Sequence, residues 1–252
     1  MIETRSGTTK GHSRFALRLL RGVFHVYAQV RGWRDTRRLR RRFPALCDPR
    51  RLAAASARLE PTYRKYVTTV SSADMAISLD LAAFLSVMCE FVQPERILDL
   101  GSGFSSVTFR RYASTATRKP TVVSVDDSPD WLDRTRAFLA DCGLSTQNLW
   151  SWSEFVRQDP RAFDFILHDL GTIALRAETL ERVLSLMNAG CPLILDDAHK
   201  ANYHRYARKL LRRQGFEYAM LRPFTLDRFG RFAILVLPRT GGFPALQPVA
   251  RR

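Results

Sequence analysis

Acidic side chains end two short apolar runs in the second half of the sequence. Asp169 follows Phe163–His168, and Asp196 and Asp197 follow Pro192–Leu195. Adjacent parallel strands lie about 5 Å apart and end at the same edge of a sheet, so three carboxylates can meet there. Oxygen-only ligands suit Mg²⁺, Mn²⁺ or Ca²⁺, and such a cation favours the alkoxide of an acceptor hydroxyl. We therefore expect a metal site at Asp169, Asp196 and Asp197. The alternative is that these acids cap a helix or brace a loop.

Three basic side chains stand next to these acids: His168, His199 and Lys200. A base beside an acceptor hydroxyl can remove its proton, and histidine titrates close to neutral pH. We expect the catalytic base among these three residues. One alternative is a metal-independent enzyme that relies on His199 alone, and another is that each histidine is an ordinary structural side chain.

A glycine-rich turn lies upstream, within Arg96–Ser106. Its apolar start is typical of a strand buried on both faces of a parallel sheet. The glycines allow a sharp turn and the close approach of a ligand, and a helix that begins just after them would point backbone N–H groups into the turn. This unit predicts a bound nucleotide-type cofactor. The candidate cofactor-binding residues are Asp99, Gly101, Ser102, Gly103 and Ser105.

A second acidic pair, Asp126 and Asp127, ends the apolar run Thr121–Val125. Asp126 lies 23 residues after Gly103 (126 minus 103). At this spacing the tip of the second strand can accept hydrogen bonds from ribose hydroxyls. A dinucleotide dehydrogenase would have a third glycine where this chain has Ser106, so the pattern favours a different cofactor.

Asp-x-Gly-x-Gly followed by Val-Asp resembles motifs I and II of the class I S-adenosylmethionine (SAM)-dependent methyltransferases. Gly103-Phe104-Ser105 is most similar to the small-molecule O-methyltransferases among them. The resemblance covers about Val70–Pro238 and implies SAM as the methyl donor, with Asp169 near it. It also implies an adenine ring close to Trp152, although a core position is the alternative for that side chain.

The acids at the later strand tips are similar to the metal site of catechol-type and antibiotic-sugar O-methyltransferases. The resemblance implies the same three ligands as the strand-tip argument. There are two departures from the family pattern. The catechol-type enzymes have a lysine where this chain has Thr172, and the sugar enzymes have an acid where it has Gly171.

Apolar strand runs alternate with amphipathic helices and finish in two strands, Phe216–Leu221 and Phe232–Leu237. This order predicts an α/β fold, with a doubly wound, Rossmann-like, mostly parallel seven-stranded sheet and an antiparallel terminal hairpin. Within it we predict a helix that ends near Pro61, a strand at Asn148–Phe155 and a helix at Thr179–Met187.

Positive charge is concentrated at the N-terminus. Residues 1–51 carry 14 Lys and Arg against 3 Asp and Glu, a net +11 of the total +16, which leaves +5 for residues 52–252. Residues 14–42 combine a helical apolar period with the basic block Arg31–Arg42. This pattern favours an anionic membrane surface as partner, with nucleic acid or simple packing on the domain as alternatives. The predicted apolar face comprises Ala16, Leu19, Leu20, Val23, Phe24, Tyr27 and Val30.

These observations predict a basic amphipathic helical extension at residues 1–50, a methyltransferase domain at 51–240 and a loose tail at 241–252. Four scattered cysteines without Cys-x-x-Cys spacing favour the cytoplasm, and the extension favours a peripheral position on the inner face of the membrane. The expected function is O-methylation of a small-molecule, sugar or lipid-linked hydroxyl, aided by a divalent cation. The alternatives are an RNA ribose 2′-O-methyltransferase and a membrane-docked, non-catalytic binding module.

Overall fold

The computed structural model describes residues 9–158 and 162–238, with side chains from residue 22 onward. In this part of the chain seven strands form one sheet: β1 Arg96–Leu100, β2 Thr121–Asp126, β3 Leu149–Ser151, β4 Phe165–His168, β5 Leu193–Leu195, β6 Phe216–Met220 and β7 Ile234–Pro238. Their order is β3-β2-β1-β4-β5-β7-β6. The β7 strand runs antiparallel to both of its neighbours, β5 and β6, and the other neighbouring strands pair in parallel. The predicted fold class is confirmed.

Helices cover both faces of the sheet. They are α1 Thr9–Arg42, α2 Pro49–Thr69, α3 Leu79–Val92, α4 Phe104–Thr115, α5 Pro129–Asp141, α6 Trp152–Arg157, α7 Ile173–Ser185, α8 Ala201–Arg213 and α9 Arg222–Thr225. Successive strand residues point to opposite faces, so Ile97 packs in the core beneath α2 to α5 and Leu98 in the core beneath α6 to α8. The β1 strand is therefore buried on both sides, as its apolar run predicts.

Three element bounds differ from the prediction. The α2 helix continues through Pro61 to Thr69. Because Pro61 is exposed, water can solvate the carbonyl that loses its amide partner there. The β3 strand ends at Ser151, where Ser151 and Glu154 form a capping box that starts α6. The α7 helix begins at Ile173, capped by the Thr172 side chain, six residues before the predicted start.

The inner side of α1 packs against the edge strand β6. The Asp35 carboxylate accepts a hydrogen bond from the Met220 backbone N–H at 2.9 Å and another from Arg31 Nε at 2.8 Å. The hydroxyls of Tyr27 and Tyr218 lie 3.3 Å apart. An uncovered edge strand offers unpaired backbone groups, and α1 shields this one.

No helix in the described part of the chain is long and apolar enough to cross a membrane. The predicted tail at 241–252 lies outside the described residues. The boundaries proposed for the N-terminal extension and the domain stay predictions.

Candidate active site

The glycine turn after β1 packs tightly against the end of β4. Gly101 has a φ of 95°, and a Cβ atom on it would lie 2.4 Å from the backbone oxygen of Asp169. Gly103 has a φ of 155°, and its Cβ would lie 3.0 Å from the Tyr66 hydroxyl. At Gly101 both the left-handed backbone and the close approach exclude a side chain.

Asp126 holds this turn in place. Its Oδ2 accepts hydrogen bonds from the Ser102 backbone N–H at 2.7 Å and from Ser102 Oγ at 3.0 Å, while its Oδ1 accepts one from the Ser128 N–H. Burial raises the pKa of the Asp126 carboxyl, and these hydrogen bonds oppose the rise. Asp126 lies at the tip of β2 as predicted, but most of its acceptor capacity is used by the protein itself.

The neighbouring Asp127 is exposed and reaches towards the loop after β4. A Cβ atom on Gly171 would lie 2.6 Å from Asp127 Oδ1. The carboxylate therefore lies against that loop, at the edge of the sheet where the cofactor is expected. A Cβ atom at 171 would displace this carboxylate from its present position.

Asp99 is fully buried beside the same turn. Its Oδ2 accepts hydrogen bonds from Ser106 Oγ at 2.5 Å and Ser124 Oγ at 2.8 Å. Its Oδ1 has no hydrogen-bond partner among the described residues, and burial raises the pKa of the carboxyl. Asp99 supports the turn through Ser106, whose Oγ accepts a hydrogen bond from the Gly103 backbone N–H at 3.3 Å. Ser105 supports the turn by donating to the Gly101 carbonyl at 3.2 Å.

The three acids at the tips of β4 and β5 do come together, around a guanidinium. Arg176 Nη1 lies 2.6 Å from Asp169 Oδ1 and 3.0 Å from Asp197 Oδ2. Lys200 Nζ donates to Asp197 Oδ2 at 2.8 Å. The Asp196 carboxylate accepts from the Asp197 N–H at 2.7 Å. We call these five side chains the carboxylate–arginine cluster.

Arg176 is anchored on all sides within this cluster. Its side chain is 9% exposed. Its Nε donates to the Leu170 carbonyl at 3.2 Å and its Nη2 to the Gly171 carbonyl at 3.1 Å. Burial alone would lower the Arg176 pKa, but the neighbouring carboxylates outweigh it and raise the pKa. A permanent positive charge is thus fixed between Asp169 and Asp197.

This arrangement does not fit the expected divalent-cation site. Asp169 and Asp197 each direct an oxygen to the Arg176 guanidinium. Among the described residues, no group of three His, Cys, Asp or Glu side chains is arranged to hold a metal ion. Burial and the nearby Asp197 raise the pKa of Asp196 to about 6. For Asp197, burial is outweighed by Arg176 and Lys200, so its pKa is lowered.

The two candidate histidines have different surroundings. His168 is fully buried in β4, its Nε2 lies 3.0 Å from Thr179 Oγ1, and burial lowers its pKa to about 3. The His168 ring has no exposed atom, and its role as a base stays a prediction. His199 is partly exposed, and its Nδ1 lies 3.3 Å from Asp197 Oδ1. Burial, opposed by Asp197, lowers its pKa below the ordinary value.

A cleft of about 1010 Å³ opens beside His199 and Lys200. The first turns of α8 form one wall, and Phe24 and Tyr27 of α1 form another. Phe232, just before β7, contributes a further apolar surface. Because β7 is antiparallel, its start lies at the carboxyl ends of β4 and β5, where ligands of open α/β sheets bind.

A second cleft, of about 1110 Å³, lies among α2, α3 and α4 and is lined by Arg51, Arg58, Glu90 and Arg111. It also includes Gln93, which precedes β1, and so lies towards the amino ends of the strands. We therefore assign the candidate active site to the first cleft.

Trp152 starts α6 and is partly buried. Its ring stacks on Phe155 with 5.7 Å between the ring centres. Contact with an adenine ring stays a prediction for this side chain.

Many solved structures are similar to this chain, and three of them are described here. One is an O-methyltransferase from Bacillus cereus in complex with SAH, with 16% identity, 70% of this chain and 89% of that chain covered, and a TM-score of 0.57. Another is the O-methyltransferase TomG from Streptomyces achromogenes, in complex with SAM, with 17% identity, coverages of 74% and 90%, and a TM-score of 0.54. The third is the SAH-bound methyltransferase PaMTH1 from Podospora anserina, with 15% identity, coverages of 71% and 86%, and a TM-score of 0.57.

The chain has the class I methyltransferase fold. Identities this low establish the fold alone. Neither a protein-family model nor a curated protein sequence matches the chain. We therefore place the candidate site within this fold from three features of the chain: the order of the strands, the glycine turn and the acidic residues at the strand tips.

Two arginines of this site were missed by the sequence analysis. Arg176 lies three residues before the predicted start of α7 at Thr179, and the sequence analysis does not single it out. Thr172 is an N-cap residue type, and a helix that begins after it contains Arg176 in its first turn. This signal would have placed Arg176 near the strand tips. Arg231 donates to the carbonyls of Ala73 and Asp74, and so ties the loop before α3 to the start of β7. No local sequence signal marks that contact.

Proposed function

We propose that this protein is a SAM-dependent O-methyltransferase whose acceptor is a small molecule with a hydroxyl group on an apolar body. One observation carries the proposal: the glycine turn and the carboxylate–arginine cluster meet, because Gly101 packs directly on the backbone of Asp169. Lys200 belongs to this cluster and, with His199, lines the cleft, so we place the cofactor at the turn and the acceptor hydroxyl in the cleft. The fold, shared with SAM-bound O-methyltransferases, supports the same conclusion.

The residues around the turn fit SAM. Bound SAM supplies a methyl group on a sulfonium, which is already a good leaving group. We assign Gly101 and Gly103 to the backbone cradle around its amino-acid end, and the buried Asp99 to supporting that cradle through Ser106. The remaining acceptor capacity of Asp126, together with the exposed Asp127, is assigned to the ribose.

His199 is our candidate for the catalytic base. Its ring lines the cleft, where it can take the proton from an acceptor hydroxyl. Asp197, 3.3 Å from Nδ1, orients the ring and stabilises its charged form. Lys200 donates to the same carboxylate and is assigned a positioning role.

We propose that Arg176 supplies the fixed positive charge that a divalent cation supplies elsewhere. Three carboxylates in one place repel one another unless a cation or protons compensate. Arg176 contacts two of them directly. No step in this proposal therefore uses Mg²⁺, Mn²⁺ or Ca²⁺.

The lining of the cleft indicates the acceptor class. Phe24, Tyr27 and Phe232 offer apolar surface, while Arg205 and Arg208 add positive charge, and no acidic residue lines it in the described part of the chain. These features favour an amphiphilic acceptor with an anionic group.

The four cysteines are free thiols, which supports placing the reaction in a reducing compartment such as the cytoplasm.

Calorimetry with SAM and SAH tests the cofactor half of the proposal. We expect binding to the wild type, and at least about tenfold weaker binding for Asp127→Asn, because a charge-assisted hydrogen bond contributes about 1.5–3 kcal/mol. Asp133→Asn, an exposed change on α5, is the matched control. A folded wild type that binds neither compound contradicts the proposal.

Transfer of a labelled methyl group from SAM to the lipid and small-molecule extract of the source cells tests the acceptor half. His199→Gln is expected to lose at least about 100-fold in rate while it binds SAM normally. His25→Gln, on the opposite wall of the same cleft, is the control and is expected to stay within a few-fold of the wild type. Equal loss in both variants would remove His199 as the base.

A further inference from the structure

The outer side of α1 carries a stripe of large apolar side chains in solvent. Val23, Val26, Val30 and Trp33 are 61%, 60%, 56% and 59% exposed. Their spacing of three and four residues puts them on one side of the helix. Phe24 and Tyr27 lie on the adjoining side of the helix, which faces α8 and β6. Single exposed apolar residues are normal, but a continuous stripe of four marks an interaction surface.

Arginines continue the stripe towards the end of the helix. Arg34, Arg37 and Arg41 follow at four-residue steps from Val30 and Trp33, and all three are exposed. No ion pair joins them to a carboxylate in the described part of the chain. In contrast, the inner arginines Arg31, Arg38 and Arg42 pair with Asp35 or Glu217. We call the seven residues Val23, Val26, Val30, Trp33, Arg34, Arg37 and Arg41 the outer face.

We propose that the outer face binds an anionic lipid surface. A helix lying in the membrane interface buries its apolar side chains at the boundary of headgroups and acyl chains. Tryptophan prefers that boundary, and arginines next to it attract anionic headgroups. Arg37 lies over the Trp33 ring at 4.8 Å, so the aromatic anchor and a phosphate-binding group are adjacent.

Charge and chemistry favour lipid over the other occupants. A second copy of this chain would bring like-charged arginines near one another. Nucleic acid would satisfy Arg34, Arg37 and Arg41 but would leave the valines in water. An anionic lipid layer satisfies both halves of the surface at once.

The proposal also deepens the acceptor assignment, and in this respect it rests on the proposed function. Val23 belongs to the outer face and also lines the cleft beside His199. The cleft therefore borders the lipid-binding surface. An amphiphilic acceptor can be presented to the cleft from the lipid layer.

Co-sedimentation of the full chain with vesicles tests this surface. Vesicles of phosphatidylcholine with about 30% phosphatidylglycerol are expected to bind the protein in 0.1 M salt, and pure phosphatidylcholine vesicles are expected not to. Raising the salt to 0.5 M should release most of the protein, because screening shortens the reach of the charges.

Three pairs of changes, one of them a control, separate the charged and apolar parts. Arg34→Gln with Arg37→Gln should weaken binding by about tenfold or more, whereas Lys209→Gln with Arg212→Gln removes the same charge from α8 and should change it by less than threefold. Val30→Ser with Trp33→Ser should also abolish binding. All six positions are exposed, so unchanged thermal unfolding is expected and verifies the fold.

Several outcomes would overturn the proposal. These are equal binding to neutral and anionic vesicles, equal loss in both charge pairs, and dimerisation abolished by Val30→Ser with Trp33→Ser in a protein that ignores vesicles. SAM calorimetry on the same samples keeps the two proposals apart. Protein that binds SAM but no vesicles removes only the lipid surface, and protein that binds vesicles but no SAM removes only the methyltransferase.

Discussion

Replacing Arg176 by glutamine tests the carboxylate–arginine cluster directly. The change leaves Asp169 without its 2.6 Å partner, whereas Asp197 keeps Lys200 and His199 beside it. Removing one member of a buried ion pair costs about 3–5 kcal/mol. The Asp169 side chain is 18% exposed, so we expect the lower end, about 3 kcal/mol in the free energy of unfolding. For a chain of this size that lowers Tm by roughly 6–12 °C.

Urea unfolding followed by circular dichroism measures this loss. Arg213→Gln removes an exposed arginine paired with Glu181 and, as a surface control, should cost less than about 1 kcal/mol. Arg176→Lys should recover only part of the loss, because one ammonium cannot reproduce the guanidinium contacts with Leu170 and Gly171. The reasoning is refuted if Arg176→Gln unfolds like the wild type, or if Mg²⁺ stabilises the wild-type protein and EDTA destabilises it.

Three further predictions follow from the geometry. Gly101→Ala should destabilise the protein by at least about 2 kcal/mol more than Gly143→Ala, since both have positive φ but only the first meets backbone; urea unfolding that shows equal losses would contradict this. Burial, with Arg208 and Arg31 adding to it, lowers the pKa of His204 to about 4, against about 6.5 when unfolded. The free energy of unfolding that neutral His204 contributes is fully present above pH 6.5 and is lost as the pH falls towards 4, by up to roughly 3 kcal/mol. His204→Gln should therefore make the free energy of unfolding less dependent on pH in this range. Methyl transfer should survive excess EDTA unchanged, and a loss restored by Mg²⁺ would point to a metal site after all.

The sequence predicts the fold and the glycine turn after β1 well because those signals are local. Ile97–Leu100, the glycines and Asp126 each follow from a run of neighbours with one period and one break. The positions of the strand tips, and so the meeting of Asp169 with Asp196 and Asp197, follow from the general geometry of parallel sheets.

Tertiary contacts explain what the sequence analysis missed. Which side chain pairs with the three acids depends on the turn at which α7 starts. The predicted start is six residues too late, and this leaves Arg176 outside the predicted helix. In α1, apolar residues cover more than one side of the helix. Periodicity alone grouped Val23 and Val30 with Phe24 and Tyr27. In the structure Tyr27 contacts Tyr218 and Phe24 contacts His204, whereas the two valines are exposed.

Arg176 makes the cation of this cluster a covalent part of the chain. A bound ion can be exchanged, chelated or replaced by a competitor, and its concentration can limit the enzyme. A guanidinium on α7 arrives when that helix folds onto β4 and β5, in fixed stoichiometry and at a fixed position. The electrostatics at the strand tips are therefore insensitive to cellular metal supply, and any change that moves α7 along the sheet also moves the charge.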